Sequence, residues 1–285
     1  MTDLPHSAYQ PAFYQARLRE QADAFRTTVA GGPPSAPVAA CPGWTLRDLV
    51  DHLGGVHQWA TAIVVTGRGP THPTVDLADG DDPATWYAGH AARLLDVLAA
   101  TDPDQPTWTF HPAYTTARFW SRRQFHETAV HRVDAELALG LDAAYDADLA
   151  VDGINEVLDV MLPRATQRFG APDLAAPVLL ACADRAERWL LRPPAADAGT
   201  TSGDAASVPP TADGPLIPES TAAQAAATIR GTAAGLLLTL WKRQVPELDA
   251  APNYGGDHPQ RAGAALTVEG DAEVVARLLG SKLTP

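Results

Sequence analysis

The sequence predicts two domains of different class: a helical bundle of four or five helices over residues 1–171, and a smaller α+β domain over residues 172–285. Three observations carry this expectation. Apolar residues recur at helical spacing through five successive segments before Ala171, with no convincing strand between them. Beyond Ala171 the pattern changes to short runs of strand type. Two of those runs repeat one plan: strand, glycine, a residue able to cap, then an amphipathic helix.

The first helix is expected over residues 8 to 29, with Tyr9, Phe13, Leu18, Ala22 and Phe25 as its apolar positions, and Gly31-Gly-Pro-Pro-Ser35 breaks it. Cys41-Pro-Gly-Trp44 forms a turn into the second helix, where Thr45 is the N-cap and Asp48 completes a short capping box. That helix runs to about Val65 through Leu46, Leu49, Val50, Leu53, Val56, Ala60 and Ile63. Asp81-Asp-Pro83 starts a third, through Trp86, Leu94 and Leu98; Phe119 to Leu139 is the fourth, and residues 148 to 168 form a fifth. Pro177 to Ala183 and Arg188 to Leu191 read as strands, and residues 193 to 218, rich in Pro, Ala, Gly, Ser and Thr, as a long exposed loop. The repeated plan then appears as Thr228–Ala233 with Leu236–Trp241, and again as Thr267–Ala272 with Val274–Leu279.

The 285 residues are 46% hydrophobic and 19% charged, enough for ordinary cores. The net charge of −13 argues against a nucleic-acid partner, whose phosphates such a surface repels. No apolar run approaches the roughly 20 residues of a membrane helix. The N-terminal residues have no secretory pattern, and the two cysteines, Cys41 and Cys182, are too few for a disulfide framework, so a reducing cytoplasm is the default expectation; the oligomeric state is left open, with a monomer favoured.

Chemistry concentrates in Glu127-Thr-Ala-Val-His131. Glu127 and His131 are four apart and project from one helical face, where a carboxylate and an imidazole can grip one metal ion. The neighbouring His126 suggests a H-E-x-x-H site, but it lies five before His131, about 140° away around a helix. It falls on the apolar stripe of its helix with Phe119, Val130, Val133 and Leu137, as a residue that packs or supports a ligand from behind rather than a ligand itself. His52 sits between Leu49 and Val56 and points to the bundle interior or its edge; His57, five further on, faces elsewhere. Taken singly, His52 also suits a hydrogen-bonded core histidine, and Glu127 with His131 an ordinary i,i+4 pair. Asp134 lies one turn beyond His131 and is either the acceptor of its other ring N–H or a solvent-exposed carboxylate. Arg122 and Arg123 pair with acids or point into a polar cavity. Cys41 has no adjoining basic residue to activate it and reads as a small turn residue.

Two motifs together, Cys41-Pro-Gly-Trp-Thr-Leu-Arg-Asp-Leu-Val-Asp-His52-Leu-Gly-Gly and Arg122-Arg-Gln-Phe-His-Glu127-Thr-Ala-Val-His131-Arg-Val-Asp-Ala-Glu136, resemble the mycothiol-dependent maleylpyruvate isomerase family. That family belongs to the DinB-like metal-binding bundles. Arg230-Gly-Thr-Ala-Ala-Gly-Leu-Leu-Leu-Thr-Leu-Trp-Lys-Arg243 and Leu266-Thr-Val-Glu-Gly-Asp271-Ala are similar to its sterol-carrier-like C-terminal domain. The resemblance implies a zinc site of His52, Glu127 and His131, and a functional arginine that maps onto Arg243. It implies mycothiol, the low-molecular-weight thiol of actinobacteria, as cofactor or cosubstrate, and a carboxylate-bearing electrophile as substrate. The expected reaction is thiolate addition with cis–trans isomerisation. The alternatives are S-transfer from mycothiol to another electrophile, and a non-catalytic protein that binds a metal or ligand. The chain reads Trp-Lys-Arg where the family favours Trp-Gly-Arg, and residues 193–218 make it longer than the compact isomerases.

Overall fold

The computed structural model describes residues 9–69, 74–193, 211–213, 215–243 and 266–285. The chain divides into two compact units, Met1–Ala143 and Ala144–Pro285. This boundary falls earlier than the expected 171/172, and the reason lies in the fifth helical segment. Its apolar residues pack on the helix of the second unit that follows the fourth strand.

The described residues of the first unit form the helices α1 (Pro11–Gly31), α2 (Leu46–Thr66), α3 (Pro83–Ala100) and α4 (Arg118–Ala138). α1 starts at Pro11 rather than residue 8, since a proline needs no intrahelical partner for its nitrogen at the first turn. At α2 the capping box forms: Thr45 accepts from the Asp48 backbone N–H, and the Asp48 carboxylate accepts from the Thr45 N–H at 2.7 Å. α2 ends at Gly67, whose φ of +67° is the left-handed conformation a helix stop favours. Asp82 caps α3 through the Thr85 N–H, with Pro83 in its first turn. Phe25, Leu49, Leu53 and Tyr87 meet in the core, each completely or almost completely buried, and each such side chain contributes about 1.5–3 kcal/mol. Gly54 has a packing reason: a Cβ there would lie 2.0 Å from the Trp86 ring, so α2 and α3 approach closely at this point.

α4 breaks the usual link between burial and apolarity. Arg118, Arg122, Arg123, Gln124, Arg132 and Asp134 are all buried on it. Buried charges are tolerated only when paired and hydrogen-bonded, and Arg118 pairs with Asp104 and Arg132 with Glu136.

In the second unit the expected single helix over 148–168 is three pieces. α5 (Ala147–Glu156) passes through a π-helical turn (Val157–Met161) into α6 (Leu162–Phe169). Pro163 has no N–H to give to a carbonyl one turn back, and its ring crowds that carbonyl; widening the preceding turn relieves the conflict. Among the described residues the strands are β1 (Val178–Cys182), β2 (Arg188–Arg192), β3 (Thr211–Asp213), β4 (Ala227–Gly231) and β5 (Thr267–Gly270), in the order β3-β2-β1-β4-β5. Among the described residues, only the β1–β4 strand pairing is parallel. β1 is buried along its whole length, as the continuous run Val-Leu-Leu-Ala-Cys demands of a central strand. β3 corrects the expected loop over 193–218: its last residues pair with β2, while most of that stretch lies outside the described residues. A short helix, α7 (Glu219–Ala222), leads to β4. Both copies of the repeated plan form. Thr232 caps α8 (Ala233–Leu240) after β4, and Asp271 caps α9 (Ala272–Gly280) after β5.

Candidate metal centre

His52 comes from α2, and Glu127 and His131 from consecutive turns of α4. One donor atom from each lies within 4.8 Å of the others, all inside the first unit. Glu127 Oε1 is the hub, 3.5 Å from His52 Nε2 and 3.3 Å from His131 Nε2. Ligands bonded at about 2.0–2.1 Å in a tetrahedron stand about 3.3–3.4 Å apart, so Glu127 Oε1 stands from each imidazole nitrogen at about the spacing of two zinc ligands. A divalent ion fits this donor set, and His52, Glu127 and His131 would hold it, leaving a fourth position for an exogenous group. His52 keeps about a third of its side chain exposed (36%), against 9% for His131, so the centre opens on the His52 side.

Each donor is oriented by a further contact. His131 Nδ1 lies 2.8 Å from Asp134 Oδ2 and donates to it, which leaves the Nε2 lone pair facing the site. Asp134 is buried, which settles the choice left open in the sequence against a solvent-exposed role. Arg123 hydrogen-bonds Glu127 Oε2, so one oxygen faces the arginine and the other the histidines. The spacing of Arg123, four before Glu127, carried this signal; the sequence left its partner undecided. The Trp44 ring stands 5.0 Å from His52 and fixes its outer side.

The electrostatics match. Burial alone would raise the Glu127 carboxyl, but the Arg123 charge and the hydrogen bonds to His131 and His52 outweigh it and hold the pKa well below the usual range. Burial would lower His131, yet its bonds to Asp134 and Glu127 raise it. Both shifts report one field, which favours positive charge at the point between the three donors. A proton or a metal ion can supply that charge.

The other histidines of α2 and α4 stand apart from this point. His126 is buried against the Tyr14 and Phe125 rings. His57 is fully buried, with Nε2 3.0 Å from Thr128 Oγ1. That hydroxyl spends its own proton on the Gln124 carbonyl, so His57 must be the donor and carries its proton on Nε2. Desolvation pushes its pKa down to about 3. In the second unit, Arg243 lies at the end of α8, where its guanidinium donates to the Trp241 carbonyl at 2.6 Å and stands 5.8 Å from the Trp241 ring.

An aromatic group continues from the centre along α2 and α4. Trp59 is seven residues after His52, and Trp120 seven before Glu127. Seven residues are nearly two turns, so each indole shares its helix face with a metal-site residue. The Trp59 and Trp120 rings meet edge to face at 5.1 Å, and Trp108 and Phe110 complete the group. These aromatics escaped the sequence reading, although the seven-residue spacing could have found Trp59 and Trp120.

Residues 16–136 match the family model for the mycothiol maleylpyruvate isomerase N-terminal domain, and residues 148–277 that for the C-terminal domain of the same enzymes. No curated protein matches the chain in sequence. Among solved structures, the chain is similar to a mycothiol-dependent maleylpyruvate isomerase, with a TM-score of 0.55 at 13% identity over 84% of this chain and 91% of that one. A histidine-to-alanine mutant of such an isomerase superposes with a TM-score of 0.53 at 11% identity over the same shares. At these identities the likeness is one of fold.

Proposed function

Because the chain belongs to the mycothiol maleylpyruvate isomerase family, we propose that it is an enzyme using mycothiol as a thiol cofactor on a small carboxylate-bearing electrophile, of cis–trans isomerase type. The observation that carries this reading is the convergence of His52, Glu127 and His131 with zinc-like spacing and an exposed side. A zinc ion bound there supplies Lewis acidity that favours a thiolate near neutral pH. Asp134 holds the His131 ring so that its Nε2 faces the other two donors, and Arg123 offsets the Glu127 charge, which would leave a bound ion more of its pull on a thiolate. The thiolate sulfur adds to one carbon of a cis double bond, whose π electrons move to the carbon next to the substrate carbonyl. Rotation about the new single bond and expulsion of the thiolate restore the double bond in the trans form and regenerate the thiol unchanged. Arg243 is our candidate for binding a substrate carboxylate, which a guanidinium can grip with two parallel bonds.

The test is incubation of the zinc-loaded chain with mycothiol and maleylpyruvate, following both the trans product and free thiol. Trans product at constant thiol is the expected result. Thiol loss into a stable adduct would instead make the chain an S-transferase, and neither product would leave a metal-binding protein without this chemistry. Arg243→Ala is expected to keep its metal and to weaken turnover of anionic substrates by about tenfold or more, in line with loss of a charge-assisted pair.

A further inference from the structure

Between the metal centre and the aromatic group lies a gap that the protein's own packing does not require. Gly54 and Gly55 are adjacent in α2, yet they differ in purpose. A Cβ at Gly54 would collide with Trp86, whereas a Cβ at Gly55 would meet nothing within 4 Å. Gly55 has ordinary helical backbone and sits mid-helix, where glycine costs about 1 kcal/mol relative to alanine. Neither packing nor conformation explains it. Its position does: it lies three residues after His52 and four before Trp59, on the face they share.

The surroundings define the space. α2 and α4 run antiparallel here, since residue numbers rise on α2 as they fall on α4 through the pairs His52–His131, His57–Thr128 and Trp59–Trp120. Helical side chains lean towards their own N-terminus, so Trp59 leans over Gly55 towards the metal centre. Trp59 is half-buried, as are Trp108 and Phe110, while Trp120 behind it is fully buried. Trp120 is also tied by its indole N–H to the Trp108 carbonyl at 3.0 Å. The result is a braced aromatic surface about 10 Å from the centre, two helical turns away, with an unfilled step between them.

We propose that Trp59, with Trp108 and Phe110, forms a subsite for a ring carried by the molecule whose sulfur occupies the open metal position, and that Gly55 provides the passage between the two. The ring is either a flat aromatic or the C–H face of a sugar, both of which meet the electron-rich indole face favourably. This inference rests on the thiolate reading above. It adds a length requirement: the ring must stand about two helical turns from the sulfur.

Zinc-loaded full-length protein titrated with phenylalkanethiols measures that requirement directly. Spacers of one, four and about seven methylenes are compared with ring-free alkanethiols of matching carbon count, the longest reaching about 10 Å. Affinity is followed by tryptophan fluorescence and calorimetry. The expected result is a ring-specific gain of about tenfold that appears only with the longest spacer, as one well-made aromatic contact would supply. Trp59→Ala should erase that gain and leave the one-methylene thiol unaffected. Gly55→Val should do the same without touching an aromatic residue, and Gly55→Ala, expected to fold more stably, should reduce the gain in a well-folded protein. Affinity that tracks carbon count alone, or a ring gain that ignores spacer length or survives both glycine variants, would overturn the subsite. Failure of every thiol to bind would overturn the thiolate reading and the subsite with it. A glycosidic thiol and a phenylalkanethiol of equal length, each assayed against Trp59→Ala, then identify which kind of ring the surface takes: only the thiol whose ring uses it should lose affinity.

Discussion

Glu127 divides its two oxygens, one towards the histidines and one towards Arg123, and the whole centre depends on that division. Purified protein should carry about one divalent ion per chain by elemental analysis, as three protein ligands with an open position imply. His52→Ala, Glu127→Ala and His131→Ala should each abolish tight binding, while His126→Ala should keep it. Loss of metal in His126→Ala with retention in Glu127→Ala would mean the ligand set is wrong. The helix geometry that separates His126 from His131 was legible in sequence, because five residues are not a whole turn. The burial of Asp134 was not, because a carboxylate one turn from a histidine looks the same whether it faces water or core. His57 yields a second prediction, for metal-free protein. Its folded pKa of about 3 lies below the ~6.5 of an unfolded histidine. Its contribution to stability is therefore complete above pH ~6.5 and is lost as pH falls towards 3, where the unfolded chain binds a proton that the folded chain refuses. His131, raised in the fold, acts with the opposite sign: its contribution is complete below ~6.5 and is lost as pH rises through its folded pKa. Urea unfolding at pH 7 and pH 5 should show a smaller acid loss in His57→Gln than in the parent. An equal loss would assign the acid limb to other groups.

The helices declared themselves through their ends. Thr45 with Asp48, Asp82 before Pro83, and Asp271 before α9 all form caps, because a short polar side chain before an apolar period can satisfy free backbone N–H groups. Thr45→Ala should cost about 1 kcal/mol in denaturant unfolding. Gly54→Ala should cost more, since its methyl would press into the Trp86 ring, and the added Trp86→Ala change should recover part of the loss. Simple additivity of the two changes would show that they do not touch. Other elements were hidden for physical reasons. β3 is three residues in a stretch of small and polar residues, too short for an alternation to register, and only its partner β2 makes it a strand. The π turn keeps the helical apolar period on both sides of Val157–Met161, so periodicity alone joins α5 and α6 into one helix.

At the scale of the whole chain, the sequence located the change from helical to mixed architecture by where strands begin, near Pro177, and so assigned the fifth helix to the bundle. The contacts place it with the sheet, because α5 packs on α8. An amphipathic pattern shows that a helix has a partner without saying which. All three metal-site residues precede Ala143, so a fragment of residues 1–143 should fold and bind one zinc ion as tightly as the full chain. We expect that fragment to have little turnover, since Arg243 is missing from it. Full activity in the fragment would remove the second unit from the chemistry, and an unfolded fragment by circular dichroism would show that the two units fold as one.

Cys182 ends the central strand β1, out of solvent, and burial together with the charges of Asp184 and Glu187 pushes its thiol up to about 12. Exchange between thiols and disulfides proceeds through the thiolate. Near neutral pH a thiol raised this far stays protonated, which disfavours mixed-disulfide formation at this sulfur. A fold proposed to handle a freely diffusing thiol thus keeps its strand cysteine in the less reactive thiol form. Oxidative shifts in the surrounding thiol pool would change what reaches the metal centre without writing themselves into the sheet.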